Sequence, residues 1–270
     1  MDSPHDQVNR QPPTLTALNL AAQADLLLLC ADLLRPPTSN EPRPSGSGPL
    51  RPAEEPSVQE LRDLCAASGL GDAAALNQRI DQAIQTRRTA LLSEEHTRLF
   101  DARQACPLNQ TAYIRRDKGA ILGDLCGFYR AFGFTLAATG EKADHLVTEL
   151  EFLAMLLSMQ AAALQDGNAE QAEIAHDAAR RFMETHLNDW VLSACVRLEQ
   201  TTASEHYLAV AACLGEFWQQ LAAIWAIPPA DAVAPVNVEE IAQTQFECGS
   251  DAPLDHGGQR PGLPLPTLPR

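Results

Sequence analysis

Residues 144–164, DHLVTELEFLAMLLSMQAAAL, decide the fold. Leu146, Leu150, Leu153, Leu157 and Ala161 recur at the 3.6-residue period of a helix over five turns, and Glu149, Glu151 and Gln160 fall off that stripe. Asp144 stands at its start as the expected N-cap. A helix this long with one apolar face needs other helices to cover it, and the flanking sequence supplies them.

Upstream, Tyr113 to Phe132 reads as a helix through Ile114, Ile121, Leu125, Phe128 and Phe132, with Gly133 in the usual C-terminal position. Ser93 opens a segment running to Arg103, stopped by Pro107, and Asp72 to Leu92 reads as a helix before it. Ser57-Val58-Gln59-Glu60 is a capping box that starts a helix ended by Gly69. The first helix runs from about Thr16 to Pro36-Pro37, which forbids continuation. Downstream, Asn168 caps a helix reaching Thr185, Leu187 to Glu199 forms another, and Ser204 to Ala226 the last, ended by Pro228-Pro229.

The expected architecture is all-α, a single helical-bundle domain over residues 14–230. Residues 1–13 read as a flexible leader and residues 231–270 as a disordered tail. Residues 36–56 carry seven prolines with Gly46 and Gly48 and read as a flexible insertion. At 45% hydrophobic and 5% aromatic residues, the chain of 270 fills a core without needing disulfides or metal.

A net charge of −15 argues against wrapping a phosphate backbone or lying on an anionic membrane, and suits a basic partner. Seven cysteines without a C-x-x-C pair read as reduced thiols of a cytoplasmic protein. Asp25 and Asp32 interrupt the early apolar stretch, so neither a membrane span nor an export signal is expected. A di-metal carboxylate bundle needs two Glu-x-x-His pairs; only Glu173-Ile174-Ala175-His176 is present, so no metal or other cofactor is assigned. Nucleophile-elbow and phosphate-loop motifs are absent from the sequence, which points away from catalysis. From Glu141 to Asp189 ten acids face Lys142, Arg180 and Arg181, a local balance of −7 beside aromatic residues. Such a surface fits a peptide carrying arginines ahead of an apolar stretch.

Four segments in order carry a resemblance: Phe128-Tyr129-Arg130-Ala131-Phe132-Gly133, Ala143-Asp144-His145, Glu149-Leu150-Glu151-Phe152-Leu153 and His186-Leu187-Asn188-Asp189-Trp190. Together, over roughly Leu99 to Trp218, they resemble the TorD/DmsD/NarJ family of redox-enzyme maturation chaperones. The likeness is greatest to chaperones of type II dimethyl sulfoxide reductase-family molybdoenzymes. The resemblance implies a cytoplasmic chaperone, not an enzyme, that binds the twin-arginine signal peptide and apo catalytic subunit of a molybdenum oxidoreductase until its cofactor is inserted. It also implies binding residues: Asp144 and His145 match the family's Asp-His pair, and Glu149, Glu151, Tyr129, Phe132 and Trp190 complete the candidate set. Ala143 stands where family members usually carry proline. The alternatives from other classes are a helical-bundle metalloenzyme and a generic helical scaffold.

Overall fold

The computed structural model describes residues 15–36, 56–89, 92–101, 105–136 and 141–230. The expected leader, the interior of the proline-rich insertion and the tail lie outside them. Among the described residues there is no strand, and the architecture is all-α. The helices are α1 (Ala17–Leu34), α2 (Val58–Ala67), α3 (Ala73–Thr89), α4 (Ser93–His96), α5 (Lys118–Ala131), α6 (Leu146–Gln165), α7 (Ala169–Phe182), α8 (Val191–Thr201) and α9 (Glu205–Ile224). α1 packs chiefly on α6, α6 also on α7, α3 on α9, and α8 on α9.

Local chemistry sets most of the ends. Thr16 and Ser57 both form capping boxes, with Asn19 and Glu60 reaching back to the cap nitrogen. Asn168 caps α7 through Gln171 N. Gly133 closes α5 at φ +70°, with Phe134 N–H donating to Tyr129 O at 2.8 Å and Gly133 N–H to Arg130 O. This is a Schellman closure, and the Phe134 and Tyr129 rings meet 5.1 Å apart, the apolar contact that usually accompanies it.

Three expectations need correction. The segment expected to be helical from Tyr113 begins only at Lys118, where the Asp117 carboxylate accepts Ala120 N–H; residues 110–112 form a single 3-10 turn instead. α8 starts at Val191, because Met183–Leu187 extends α7 as a wide π turn and Asn188 to Trp190 make a turn of their own. Above all, α6 is not one-sided. Leu146 to Leu157 are buried without a break, and Glu149, Glu151 and Gln160 are buried with them. Helices on two sides enclose α6, so its polar residues meet other side chains rather than water. Glu151 pairs with Arg35 at the end of α1 (2.8 Å), and Gln160 lies 3.3 Å from the His176 imidazole of α7.

α1 and α6 are long and apolar enough to cross a membrane, yet two thirds of α1 and more than four fifths of α6 are covered by the rest of the fold. Phe152 anchors the centre: its ring lies 4.7 Å from Tyr129, 4.8 Å from Phe182 and 5.4 Å from Phe134, mostly edge to face. Each fully buried side chain of this size contributes about 1.5–3 kcal/mol.

Candidate functional site

The site is a corner where residues 106–113 cross the start of α6. Two backbone hydrogen bonds clamp it, Gln110 N–H to Asp144 O (2.8 Å) and Leu146 N–H to Leu108 O (2.7 Å), forming an isolated antiparallel bridge between Asn109 and His145.

Asp144 is 2% exposed. Its Oδ1 accepts Asn109 Nδ2 (3.0 Å), and its Oδ2 accepts the Thr111 hydroxyl (2.6 Å) and Thr111 N–H (3.3 Å). The carboxylate therefore does not cap α6; it ties the incoming segment down. His145 is the N-cap instead, its Nδ1 accepting Val147 N–H at 3.3 Å. That bond places the imidazole proton on Nε2, which lies 3.5 Å from Glu141 Oε2. Burial depresses the His145 pKa to about 4, against the opposing pull of Asp144, so the ring is neutral at physiological pH.

Behind the corner, the Tyr129 hydroxyl donates to Ala143 O at 2.6 Å and fixes the residue before the Asp-His pair. Burial raises the Tyr129 pKa well above its usual value. Trp190 is fully buried, stacks on Tyr113 at 5.5 Å and donates its indole N–H to His186 O. Glu149, one turn into α6, is completely buried, and neither carboxyl oxygen has a hydrogen-bond partner. Loss of water raises its pKa well above the carboxylate range, and Asp144 adds to the rise; the Trp190 N–H is near enough to oppose it slightly. Phe132 is half-buried, 6.2 Å from Phe152.

Of the seven residues expected from sequence, Asp144, Glu149, Glu151, Tyr129 and Trp190 are interior in this conformation. They shape the corner from behind, and His145 and Phe132 keep partial access to solvent. A cleft of about 290 Å³ opens beside His145. It is lined by the apolar Leu34, Phe100 and Leu108 and by the polar His96, Asp101, Asn109, Glu141 and Lys142. His96 Nδ1 lies 3.6 Å from Asp101 Oδ2, and burial lowers its pKa. Apart from His145, sequence reading found none of the cleft residues as site residues. They come from the end of α1, from α4, from the π turn Thr97–Asp101 and from two loops, segments with no shared period to link them.

Among the described residues, no group of three or more His, Cys, Asp or Glu side chains is placed to hold a metal. His176 stacks on Trp225 at 4.9 Å, and Glu173 is exposed.

The fold and the corner define an all-helical domain in which polar side chains brace a loop against a helix start. The chain belongs to the nitrate reductase delta subunit family, whose profile matches residues 62–196, half of its length. It is similar to the chlorate reductase assembly chaperone protein of Ideonella dechloratans, 42% identical over 102 residues, or 37% of this chain and 51% of that one. The selenate reductase assembly chaperone protein of Thauera selenatis is 41% identical over 100 residues, 37% of this chain and 50% of the relative. The perchlorate reductase assembly chaperone protein of Dechloromonas aromatica (strain RCB) is 37% identical over 93 residues, 34% and 40%. The chain thus spans about half the length, or less, of the curated relatives it matches. No solved structure matches it. The family expected from the four motifs is the one found.

Proposed function

We propose that the helical domain of residues 14–230 is a cytoplasmic assembly chaperone, not an enzyme. It holds the catalytic subunit of a molybdenum oxidoreductase, together with that subunit's twin-arginine leader, until the cofactor is in place. Membership of a family with assembly chaperones for chlorate, selenate and perchlorate reductases supports the class of client. The observation that carries the leader reading is the Asp144–His145 corner. Asp144 is held by Asn109 and Thr111, Tyr129 holds Ala143, and their combined effect is to set a neutral His145 at the mouth of a cleft rimmed by carboxylates. Glu149, Glu151 and Trp190 lie on the core side, and Phe132 keeps partial access to solvent.

The test is co-expression with the large subunit of a molybdenum oxidoreductase, with and without its leader. A complex recovered only with the leader is expected. Equal recovery of the leaderless subunit removes leader recognition and leaves client holding; no recovery of either removes both.

A further inference from the structure

We infer that the cleft beside His145 is a guanidinium site, in which Asp101 and Glu141 together take one arginine side chain of the client's leader. The inference rests on the leader-binding reading above and adds to it the atoms that recognise the peptide.

Size comes first. At about 290 Å³ the cleft lies at or below the roughly 300–1,000 Å³ of cofactor-sized sites. It suits one long side chain rather than a nucleotide or a pterin. Charge comes second. Asp101 and Glu141 are 62% and 44% exposed at their side chains, so both carboxylates reach solvent; Lys142 is the cation among the lining residues, and Arg35, near enough to act on His145, is paired with Glu151. An anionic ligand would meet two carboxylates; a cation meets them favourably.

The two carboxylates come from different elements, Asp101 from the π turn Thr97–Asp101 and Glu141 from the loop before α6. A planar guanidinium has donors on several sides and can bridge two such acceptors, whereas an ammonium is a compact point charge that gains less from a two-sided arrangement. Leu34, Phe100 and Leu108 supply the apolar lining that the methylenes of a long side chain need. Each carboxylate is backed by an imidazole: His96 Nδ1 lies 3.6 Å from Asp101, and His145 Nε2 lies 3.5 Å from Glu141. Burial holds both imidazoles below their usual pKa, against the pull of Asp144 on His145 and of Asp101 on His96. The rings therefore stay neutral near pH 7, orienting the acids without cancelling them.

The experiment uses the full chain and a synthetic peptide carrying an Arg-Arg pair ahead of an apolar run, with Lys-Lys and Gln-Gln versions of the same peptide. Titration calorimetry should show Arg-Arg binding about tenfold tighter than Lys-Lys. Asp101→Asn with Glu141→Gln should weaken the Arg-Arg peptide by about ten- to a hundredfold and leave the Gln-Gln peptide unchanged. Thermal melts check the fold, and Glu141→Gln alone gives the same reading if the double variant is unstable. Equal losses for all three peptides, or no loss, overturn the guanidinium site and leave leader binding standing. If the unaltered protein binds none of the peptides, leader recognition falls and the site falls with it.

Discussion

Asp144 and Glu149 lie five residues apart, both buried, and the fold treats them in opposite ways. Asp144 accepts three hydrogen bonds from Asn109 and Thr111, whereas Glu149 accepts none. The contrast shows that burial alone does not say what an acid contributes. A carboxylate ringed by donors ties two distant segments together, and one without donors carries a desolvation cost that it lowers by keeping its proton. Glu151 is a third case, matched to Arg35 across α1 and α6.

The largest effect belongs to Asp144. Asp144→Ala strands the Asn109 amide and both Thr111 donors, and should cost about 3 kcal/mol, a fall in melting temperature of about 6–12 °C. Asp144→Asn should fall between, because its amide group sets a donor against donors. A melt of Asp144→Ala that matches the unaltered protein would break the comparison at its stronger end.

Arg35→Ala comes next. It leaves the Glu151 carboxylate, 4% exposed, without its guanidinium. Because Arg35 is itself partly exposed, the loss should be about 2 kcal/mol, below that of fully buried pairs. Glu151→Gln in the same background should restore part of it; failure to restore would mean that Arg35 acts through its packed methylenes.

Glu149→Leu should do the reverse of Asp144→Ala, raising stability by about 1 kcal/mol, because it removes unpaired polar atoms from an apolar site. Its pH profile sharpens the point. The folded protein keeps the Glu149 proton above the unfolded value of 4.5, so this group's stabilisation is present at low pH and is lost as pH rises. His145 and His186 are both held down to about 4 by burial, so their contribution runs the other way, lost as pH falls from 6.5 towards 4. The two contributions oppose each other above pH 4.5, where Glu149 begins to lose its share while the histidines are still gaining theirs up to pH 6.5. In denaturant titrations Glu149→Leu should therefore steepen the rise in stability between pH 4.5 and 6.5, by up to about 1.4 kcal/mol per pH unit. A rise left unchanged by the substitution would mean that Glu149 holds no extra proton in the folded protein.

Much of the fold was legible in the sequence because its signals are local. The capping box at Ser57, the Gly133 closure and the apolar repeat of α6 each depend on residues within a few positions. The site was only half legible. The Asp-His pair is visible as a motif, but Asn109, which holds Asp144, is 35 residues away in sequence, and Arg35, which holds Glu151, is 116 away. Period could not show that α6 is covered on its polar side, since that depends on α1 and α7 closing over it. Nor could it separate Asp144 from His145 as the cap, because both can accept a backbone hydrogen bond and only the pull of Asn109 and Thr111 decides between them.

One amide near the start of the chain bears on how the protein is made. Gln23 in α1 donates to Ser68 O at the end of α2 and accepts from the Trp225 indole just beyond α9. α9 also supplies Tyr207, Phe217 and Trp218 to the core, against α3 and α8. A ribosome still translating α9 therefore holds a nascent chain in which α1 already has α6 to pack against while α3 lacks its main wall. The α1–α6–α7 side can close during elongation, and the α3 side, with the Gln23–Trp225 tie, closes only after α9 has cleared the exit tunnel.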